Sequence, residues 1–408
     1  MSQTHGTIEH DLRLILAVQA LRAFVYGFGV VVLGTVLASA GFSTFQVTLV
    51  FTAMLAGMAI ASILVGLVGD RVGRRRLYTG LLVLMGGAGV VFAFAGSVWV
   101  FALVALTGTM STDANESGPI TSLEQAMIGQ APAAVRVHVF GRYNAIAFLA
   151  GAVGSLAAGG PAFLSHVWHG APSDQRWLLL FPLVAAACAA LALRLSPAME
   201  TSGDGRRQRP LERSRGNVRK LSALFATDAF AGGFIVSTFI VVWFVKRFSA
   251  TPEVMSLVFF GGGLLQAGSS IVAARVGARF GLLNTMVFSH LPSNLLLIGV
   301  PLMPSLTPAL VLLVVRFALS QMDVPTRQAY IAAMVDPEER TAAAAFTNTS
   351  RYVVRPFGQL LGGVLMNAAI GAPFVAAGSL KCAYDLVLWR VFRKVRLPEE
   401  SATPPPSA

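Results

Sequence analysis

The sequence predicts an all-α integral membrane protein in which twelve transmembrane helices form two six-helix, pseudo-symmetric halves. Three observations predict this fold class. Hydrophobic residues make up 55% of the 408 residues and charged residues only 12%, and the mean hydropathy of +0.68 lies outside the range of soluble proteins. The apolar runs are long enough to cross a bilayer, and short motifs recur at an offset of about half the chain.

The individual helices are placed by apolar runs that end at glycine, proline, serine or charge, because a bilayer-spanning helix needs about 20 mostly apolar residues. Two starts carry capping chemistry: Ser43 with Gln46 is a capping box, and Pro252, between Thr251 and Glu253, suits a first helical position. The predicted spans are 12–39, 44–69, 76–95, 98–125, 138–164, 175–195, 220–246, 252–276, 282–302, 307–333, 341–369 and 373–395.

The basic residues predict the orientation of these spans. Loops on one predicted face hold Arg71, Arg74, Arg75, Arg76, Arg206, Arg207, Arg209, Arg213, Arg215, Arg219, Lys220, Arg390, Arg393, Lys394 and Arg396. The opposite loops, 40–42, 96–97, 303–305 and 371–373, carry no basic residue. Because basic loops stay in the cytoplasm, we expect a multi-pass protein of the inner (plasma) membrane with both termini cytoplasmic. The net charge of +12 then reports topology, and we expect no nucleic-acid partner.

The hydrophilic stretch 196–219 divides the chain. It predicts an N-terminal six-helix half at 1–195, a cytoplasmic linker at 196–219 and a C-terminal half at 220–396, followed by a proline-rich, disordered tail at 397–408. The two cysteines, Cys188 and Cys382, both lie in apolar runs, which excludes a disulfide framework or a thiolate zinc site. We expect neither a metal nor a cofactor.

An internal repeat supports the two halves. The first span contains Arg22-Ala23-Phe24 followed by Gly27-Phe28, and the seventh contains Asp228-Ala229-Phe230 followed by Gly233-Phe234. The same offset relates Pro119 to Pro325 and, with a small shift, the run Arg71 to Gly73 to the run Arg279 to Gly281. Repeated halves are typical of carriers that alternate access to a site near the midplane.

The loop between spans two and three reads Gly66-Leu67-Val68-Gly69-Asp70-Arg71-Val72-Gly73-Arg74-Arg75-Arg76. It resembles the signature loop of the major facilitator superfamily, G-x-L-A-D-R-x-G-R-R, from which Val68 and Gly69 depart conservatively. The resemblance implies a gating role for Gly66, Asp70, Arg71, Gly73 and Arg74, because this loop latches one state in that family. An ordinary basic cytoplasmic turn is the alternative interpretation.

The wider resemblance covers nearly the whole chain. Residues 21–27, 284–294 and 320–328 are similar to a prokaryotic branch of efflux permeases in that superfamily. In span five, Gly151 with Gly154 and the run Gly159-Gly160-Pro161 resemble in part the glycine-proline element of its antiporters, which favours antiport over symport.

Ionisable groups inside spans are functional candidates, because each is costly unless it is paired or faces water. We assign proton coupling to Asp113, Glu116 and Asp228 and the substrate cavity to Arg22, Tyr26, Asn115, Gln321, Asp323, Arg327 and Arg351. Span twelve adds Lys381 and Asp385, which are spaced to neutralise each other. Glu124, Arg142, Arg316 and Arg355 complete the set.

Span four is too polar from Gly108 to Pro119 to face lipid. Either the helix is interrupted there or it lines water. Alternatively, span four ends near Met110 and a long loop follows. Asp113 and Glu116 lie three residues apart, on one face of a continued helix, which suits proton coupling.

Arg22 and Asp228 occupy equivalent positions in the two halves, so they predict a pair that meets across the cavity. The pair would act as a latch sensitive to protons or substrate, or it would be a static packing pair.

These observations together predict a secondary active transporter, not an enzyme, that moves a small molecule by alternating access as a monomer in the lipid bilayer. Proton-coupled efflux is the first interpretation. The alternatives are uptake of a small organic anion by proton symport, for which five arginines offer a cationic pocket, and a non-transporting receptor or assembly factor on a transporter scaffold. The arginines are Arg22, Arg142, Arg316, Arg351 and Arg355.

The topology is tested with single cysteines in a variant that lacks Cys188 and Cys382. We expect Ser97→Cys to react with an impermeant thiol reagent in intact cells and Ser202→Cys to be protected, since only the second lies in the basic cytoplasmic linker. The opposite labelling pattern would contradict the predicted orientation.

Overall fold

The computed structural model describes residues 2–111, 113, 118–128, 133–167, 174–197, 214–335 and 340–395. Within these ranges the regular structure is helical. The helices are α1 Ser2–Ser39, α2 Thr44–Val72, α3 Arg74–Phe94, α4 Val98–Ala105, α5 Pro119–Ile128, α6 Ala133–Ala157, α7 Gly160–Val167, α8 Leu180–Ala192, α9 Arg215–Gly233, α10 Ser237–Phe248, α11 Pro252–Phe280, α12 Leu282–Gly299, α13 Leu306–Leu319, α14 Asp323–Met334, α15 Arg340–Ala368 and α16 Ala372–Phe392. Eight helical segments of the described chain are long and apolar enough to cross a membrane.

The helix starts follow local sequence chemistry. At the start of α2, the amide of Ser43 donates to Oε1 of Gln46 at 2.9 Å and the amide of Gln46 donates to Oγ of Ser43 at 3.3 Å, so the predicted capping box is confirmed. Gly73 precedes α3 with φ 95° and Gly281 precedes α12 with φ 83°. Both conformations favour glycine, and the two residues are equivalent in the predicted repeat.

Span four is interrupted, as one of the two predictions for it required. Helix α4 ends at Ala105 and α5 begins at Pro119, and the backbone turns at Gly108 with φ 70°. A Cβ atom on Gly108 would collide with the carbonyl oxygen of Gly57, and one on Gly57 would lie 2.6 Å from the carbonyl oxygen of Leu106. The break therefore packs backbone to backbone against α2.

Three further spans are broken at described residues, and in span five the break lies between Ala157 and Gly160. Span ten is interrupted between Leu319 and Asp323, and Pro325 follows in the first turn of α14 as Pro119 starts α5. Span seven is interrupted between Gly233 and Ser237. Each break leaves backbone groups without helical partners at membrane depth, which is tolerated where protein or a polar ligand satisfies them.

The chain packs into two compact units. The first comprises Met1–Asp204, Ile235–Leu264 and Gln359–Ile370, and α1 packs there against α6, α8 and α10. The second comprises Gly205–Phe234, Leu265–Gly358 and Gly371–Ala408, and α12 packs there against α13, α14 and α16. The domain bounds 1–195, 196–219, 220–396 and 397–408 stay a prediction.

Glycines set the closest approach in the first unit. A Cβ atom on Gly27 would collide with the carbonyl oxygen of Gly151, and one on Gly154 would collide with the carbonyl oxygen of Phe24. Helices α1 and α6 therefore meet along their backbones, as small residues permit in membrane proteins. Gly154, one of the span-five glycines that resemble an antiporter element, is thus needed for this contact.

Gly154→Ala should destabilise the purified protein, because the added methyl group meets a backbone atom that cannot move without shifting a helix. Overpacking of this kind costs about 1–3 kcal/mol, which a thermal unfolding assay resolves. Gly160→Ala is the control in the same span, since a Cβ atom there has no neighbour within 4 Å. Equal melting temperatures for the two variants would contradict the packing described here.

Candidate functional site

The first of two buried charged clusters lies in the first unit and is called the arginine-glutamate cluster. It consists of Gln19, Arg22, Tyr78, Glu124 and Tyr143. Arg22 comes from the middle of α1 and Glu124 from α5, directly after the span-four break. Arg22 is 1% exposed and Glu124 is 0% exposed, so neither charge reaches solvent.

Every member of this cluster hydrogen-bonds to another. Nη2 of Arg22 donates to Oε2 of Glu124 at 2.5 Å, and the same nitrogen donates to Oε1 of Gln19. Oε1 of Glu124 accepts from the Tyr78 hydroxyl at 2.7 Å, and Oε2 accepts from the Tyr143 hydroxyl at 2.6 Å. The carboxylate is thus held by one cation and two hydroxyl groups.

This arrangement offsets much of the cost of burying a charge. An isolated ion in a low-dielectric interior is strongly destabilised, whereas a hydrogen-bonded pair of opposite charges is tolerated. The predicted cavity residue Tyr26 joins the same region, because its ring lies 5.6 Å from the Arg22 guanidinium carbon and its hydroxyl donates to the Thr109 carbonyl at 2.6 Å. That carbonyl belongs to the span-four break.

The second cluster lies in the second unit and is called the aspartate-histidine cluster. Its described members are Asp228 of α9, His290 and Asn294 of α12, Asp323 and Arg327 of α14, and Lys381 and Asp385 of α16. Each of the seven side chains is buried. Four helices of this unit therefore meet at one polar network.

Asp228 is the point where the cations of this cluster converge. Nζ of Lys381 lies 2.5 Å from Oδ1 of Asp228, and Nη1 of Arg327 lies 3.8 Å from Oδ2. The same Arg327 nitrogen lies 3.0 Å from Oδ2 of Asp323, its neighbour one turn earlier on α14. Arg327 therefore connects two carboxylates.

His290 connects two other carboxylates. Its Nδ1 atom lies 3.0 Å from Oδ1 of Asp385, and its Nε2 atom lies 3.9 Å from Oδ1 of Asp228. Asn294 donates to the second Asp385 oxygen at 3.0 Å. An imidazole between two carboxylates can hold a proton on either nitrogen, so this is a site where a proton can bind and leave.

The charges of this cluster, taken together with that of Arg316 on α13, balance when His290 is neutral. Three carboxylates, those of Asp228, Asp323 and Asp385, face the cations Lys381 and Arg327. Arg316 of α13 supplies a third cation, because it interacts electrostatically with Asp228 and Asp323. One added proton therefore introduces one unbalanced positive charge.

The predicted proton-coupling residue Asp113 is placed at a helix end. Its Oδ1 atom accepts the backbone amide of Ser237 at 3.0 Å, and Ser237 is the first residue of α10, after the span-seven break. A carboxylate is favoured there, because the free amides and the dipole of a helix N-terminus attract negative charge. The other predicted residues of span four, Asn115 and Glu116, lie outside the described residues.

Arg22 and Asp228 each have an opposite charge in their own unit: Glu124 for Arg22 and Lys381 for Asp228. Neither needs the other for neutralisation in the arrangement described, and their mutual approach stays a prediction. The predicted local pair of Lys381 with Asp385 is replaced by different partners. Lys381 donates to Asp228, while Asp385 accepts from His290 and Asn294, because α9 and α12 present better-placed groups than the next turn of α16.

The remaining predicted residues are placed as follows. The cavity candidates Gln321 and Arg351 are partly buried, and Asp323 and Arg327 belong to the aspartate-histidine cluster. In the gating loop, Gly73 and Arg74 form the start of α3. The side chains of Gly66, Asp70 and Arg71 lie outside the described residues.

Two residues of these clusters were not among the site residues predicted from the sequence. Glu124 was recognised only as a charge in a span, and His290 only as part of a stretch of family resemblance. A signal for His290 was present in its spacing from Asn294, since residues four apart share one helix face. No group of three or more His, Cys, Asp or Glu side chains in the described chain is arranged to hold a metal ion.

Glu124→Gln should destabilise the protein by about 3–5 kcal/mol, because it leaves the Arg22 guanidinium as an uncompensated buried charge. Thermal unfolding of the purified protein measures this effect. The exposed pair of Arg13 and Glu9, 2.6 Å apart, supplies the control Glu9→Gln, for which we expect a change of at most about 1 kcal/mol. Equal effects of the two substitutions would show that Glu124 does not hold Arg22.

The comparisons with known proteins agree with this architecture. The sequence profile of the Major Facilitator Superfamily matches residues 15–244 and again residues 221–408. An uncharacterized membrane protein of Saccharomyces cerevisiae is 26% identical over 420 residues, covering 94% of each chain.

Solved transporters share the fold. The inward-open xylose transporter XylE from E. coli is 17% identical with a TM-score of 0.71, and 95% of this chain and 98% of that one are covered. The nucleoside transporter NupG is 14% identical with a TM-score of 0.68, covering 94% and 98%. An inward-facing, occupied bacterial homolog of the lysosomal transporter Spinster is 16% identical with a TM-score of 0.68, covering 94% and 97%. The predicted fold of twelve helices in two halves is confirmed, and the chain belongs to the Major Facilitator Superfamily as a multi-pass membrane transporter and not an enzyme.

Proposed function

We propose that this secondary transporter exports a small molecule across the inner membrane in exchange for protons, with both termini in the cytoplasm. The observation that carries the proposal is the position of His290 between Asp385, at 3.0 Å, and Asp228, at 3.9 Å. The imidazole is the side chain best suited to take up and release protons near neutral pH. The basic loops support the orientation.

Proton binding changes the forces around Asp228. Asp385 and Tyr384 of α16, Asp323 of α14 and Asp228 of α9 lie around His290. The cations Lys381, Arg327 and Arg316 in turn interact with Asp228. With His290 neutral their charges cancel. A proton on the cluster competes with Lys381 for the Asp228 carboxylate, because one carboxylate cannot neutralise both cations at full strength.

This competition acts on a helix that is already interrupted. Asp228 lies five residues before the end of α9 at Gly233, and Lys381 approaches that end, with Nζ 3.7 Å from the position of a Cβ atom on Gly232. Weakening the pair of Asp228 and Lys381 therefore frees the end of α9 from α16. We propose that this movement links the proton to the alternating-access cycle.

Helix α12 offers a route for the proton. The hydroxyls of Thr285, Ser289 and Ser293 recur every four residues on one face of α12, and none has a hydrogen-bond partner among the described residues. Ser293 lies three residues after His290 and is therefore its neighbour on the helix surface. Unfilled hydrogen-bonding capacity of this kind suits water molecules that conduct protons.

Asp113 and Glu116 remain our proposed acids of span four. The bond from Asp113 to the first amide of α10 lets its protonation state affect the second piece of span seven, just as the Asp228 pair acts on the first piece. A neutral acid is a weaker acceptor for a helix N-terminus than a carboxylate is. Span seven would then respond to protons on both sides of its break.

Export rather than uptake is supported by two features. The glycines of span five hold α1 and α6 in backbone contact, at the position where the resemblance to antiporters was noted. Uptake of an organic anion would need a pocket of arginines. Arg22 already pairs with Glu124, and Arg142 is exposed, so neither contributes to such a pocket. We therefore propose no anion symport.

His290→Gln should abolish transport driven by a pH gradient and leave substrate exchange without a gradient largely intact, because glutamine forms hydrogen bonds but takes up no proton near neutral pH. A growth screen of a deletion strain identifies an exported compound, and proteoliposomes loaded with it provide both measurements. The substitution His10→Gln serves as the control, because His10 is exposed. Gradient-driven accumulation at the wild-type rate by His290→Gln would refute the proposal.

Asp113 is tested by two substitutions that separate hydrogen bonding from charge. Asp113→Asn keeps an oxygen that can accept the Ser237 amide, so we expect folding and exchange to survive while proton-driven transport is lost. Asp113→Ala removes the acceptor, and we expect exchange to fall as well, with a loss of about 1 kcal/mol in stability. If Asp113→Asn accumulates substrate as the wild type does, Asp113 is a helix cap only.

A further inference from the structure

Two buried polar side chains of the first unit have no hydrogen-bond partner among the described residues. Gln359 of α15 is 0% exposed, and neither its Nε2 nor its Oε1 atom is paired. Thr52 of α2 is 9% exposed, and its Oγ1 atom is unpaired as well. Because both amide atoms of Gln359 are unsatisfied, the observation holds for either orientation of the amide. Buried polar groups are nearly always paired, so these two require a partner.

Helices α2 and α15 touch at a point one turn away from each of these two groups. A Cβ atom on Gly363 would collide with the Thr48 side chain, so the two helices touch there. Thr48 lies in the first two turns of α2 and Gly363 in the last two turns of α15, so we take the helices to run in opposite directions. Thr52 follows Thr48 by one turn and Gln359 precedes Gly363 by one turn, which brings both to the same level.

Thr52 and Gln359 lie one helical turn from an end of the first unit where the helices are tightly packed. A Cβ atom on Gly34 of α1 would lie 2.8 Å from Cβ of Val241 on α10, and the Trp243 indole donates to the Ile370 carbonyl at 2.7 Å. The contact of Gly363 with Thr48 belongs to the same end. A group reaching Gln359 is thus stopped by packed backbone beyond it.

The chemistry of the two side chains selects the partner. An amide and a hydroxyl each donate and accept, so together they satisfy an uncharged group that also does both, such as a primary amide, a lactam edge or a pair of hydroxyls. The charges of this unit's buried cluster are already matched, Arg22 with Glu124, and leave no excess to balance an ion. A carboxylate or an ammonium group would therefore be buried there without a counter-charge from that cluster.

We infer that Gln359 and Thr52 form a recognition site for an uncharged donor-and-acceptor group of the transported molecule. The inference rests on the proposed transport function and adds the substrate class. It assigns a role to two residues that the charged clusters do not involve.

The first test is thermal unfolding of the full chain in lipid nanodiscs without added compound. Gln359→Leu should leave the melting temperature unchanged or raise it, because it removes polar atoms that have no partner among the described residues. Gln175→Leu is the control, since the Gln175 amide donates to the carbonyls of Phe92, at 2.8 Å, and Ala95, at 2.6 Å, and its loss should lower the melting temperature. An equal decrease for both variants would overturn the inference, because it would assign Gln359 a partner within the protein.

The second test uses acetamide and acetate, which share a shape and differ in charge. Acetamide should raise the melting temperature of the wild type more than that of Gln359→Leu and of Thr52→Val, and acetate should affect all three equally. A Gln359-dependent response to acetate, or the absence of one to acetamide, would overturn the inference; the second result would indicate bound water only. No proton gradient is involved, so failure here leaves proton-coupled export standing, and failure of the His290→Gln test leaves this site standing.

Discussion

A charge inside a membrane protein must be neutralised close by, and the described packing of both units depends on this constraint. In the first unit Arg22 is neutralised by Glu124, which two tyrosine hydroxyls also hold. In the second unit Asp228 is neutralised by Lys381 and Arg327. The helices that carry these groups cannot separate without leaving a charge unpaired, which costs several kcal/mol. Charge pairing therefore contributes to which helices pack together, and the proposed proton coupling would act by changing these pairs.

The helix breaks give this electrostatic arrangement a mechanical effect. A continuous helix transmits a change at one side chain along its whole length, whereas a broken helix lets its two pieces respond separately. Span seven has Asp228 before its break, and the amide at the start of its second piece is held by Asp113. Span four has its break directly before Glu124. The buried acids Glu124, Asp228 and Asp323 thus lie on interrupted spans, whereas Asp385 lies on the continuous helix α16.

The sequence predicted the fold well because the fold depends on local properties. The length of the apolar runs predicted the spans, and the pair of Ser43 and Gln46 predicted a helix start. The polar composition after Gly108 predicted the break in span four. The pairing of charges was predicted poorly, because it depends on which helices touch. The i,i+4 spacing of Lys381 and Asp385 suggested a pair, but Asp228 and His290 come from helices α9 and α12 and replace it. A buried polar side chain such as Gln359, which has no hydrogen-bond partner among the described residues, cannot be recognised from a single sequence.

The most direct test of the central claim is a double-mutant cycle on the pair of Asp228 and Lys381, measured by thermal unfolding of the purified protein. Asp228→Asn and Lys381→Met each leave an uncompensated charge and should each lower stability by several kcal/mol. The double variant removes both charges, so we predict that it regains most of the stability that either single variant loses. Additive losses, with the double variant least stable of all, would contradict the account, because the two charges would then not depend on each other.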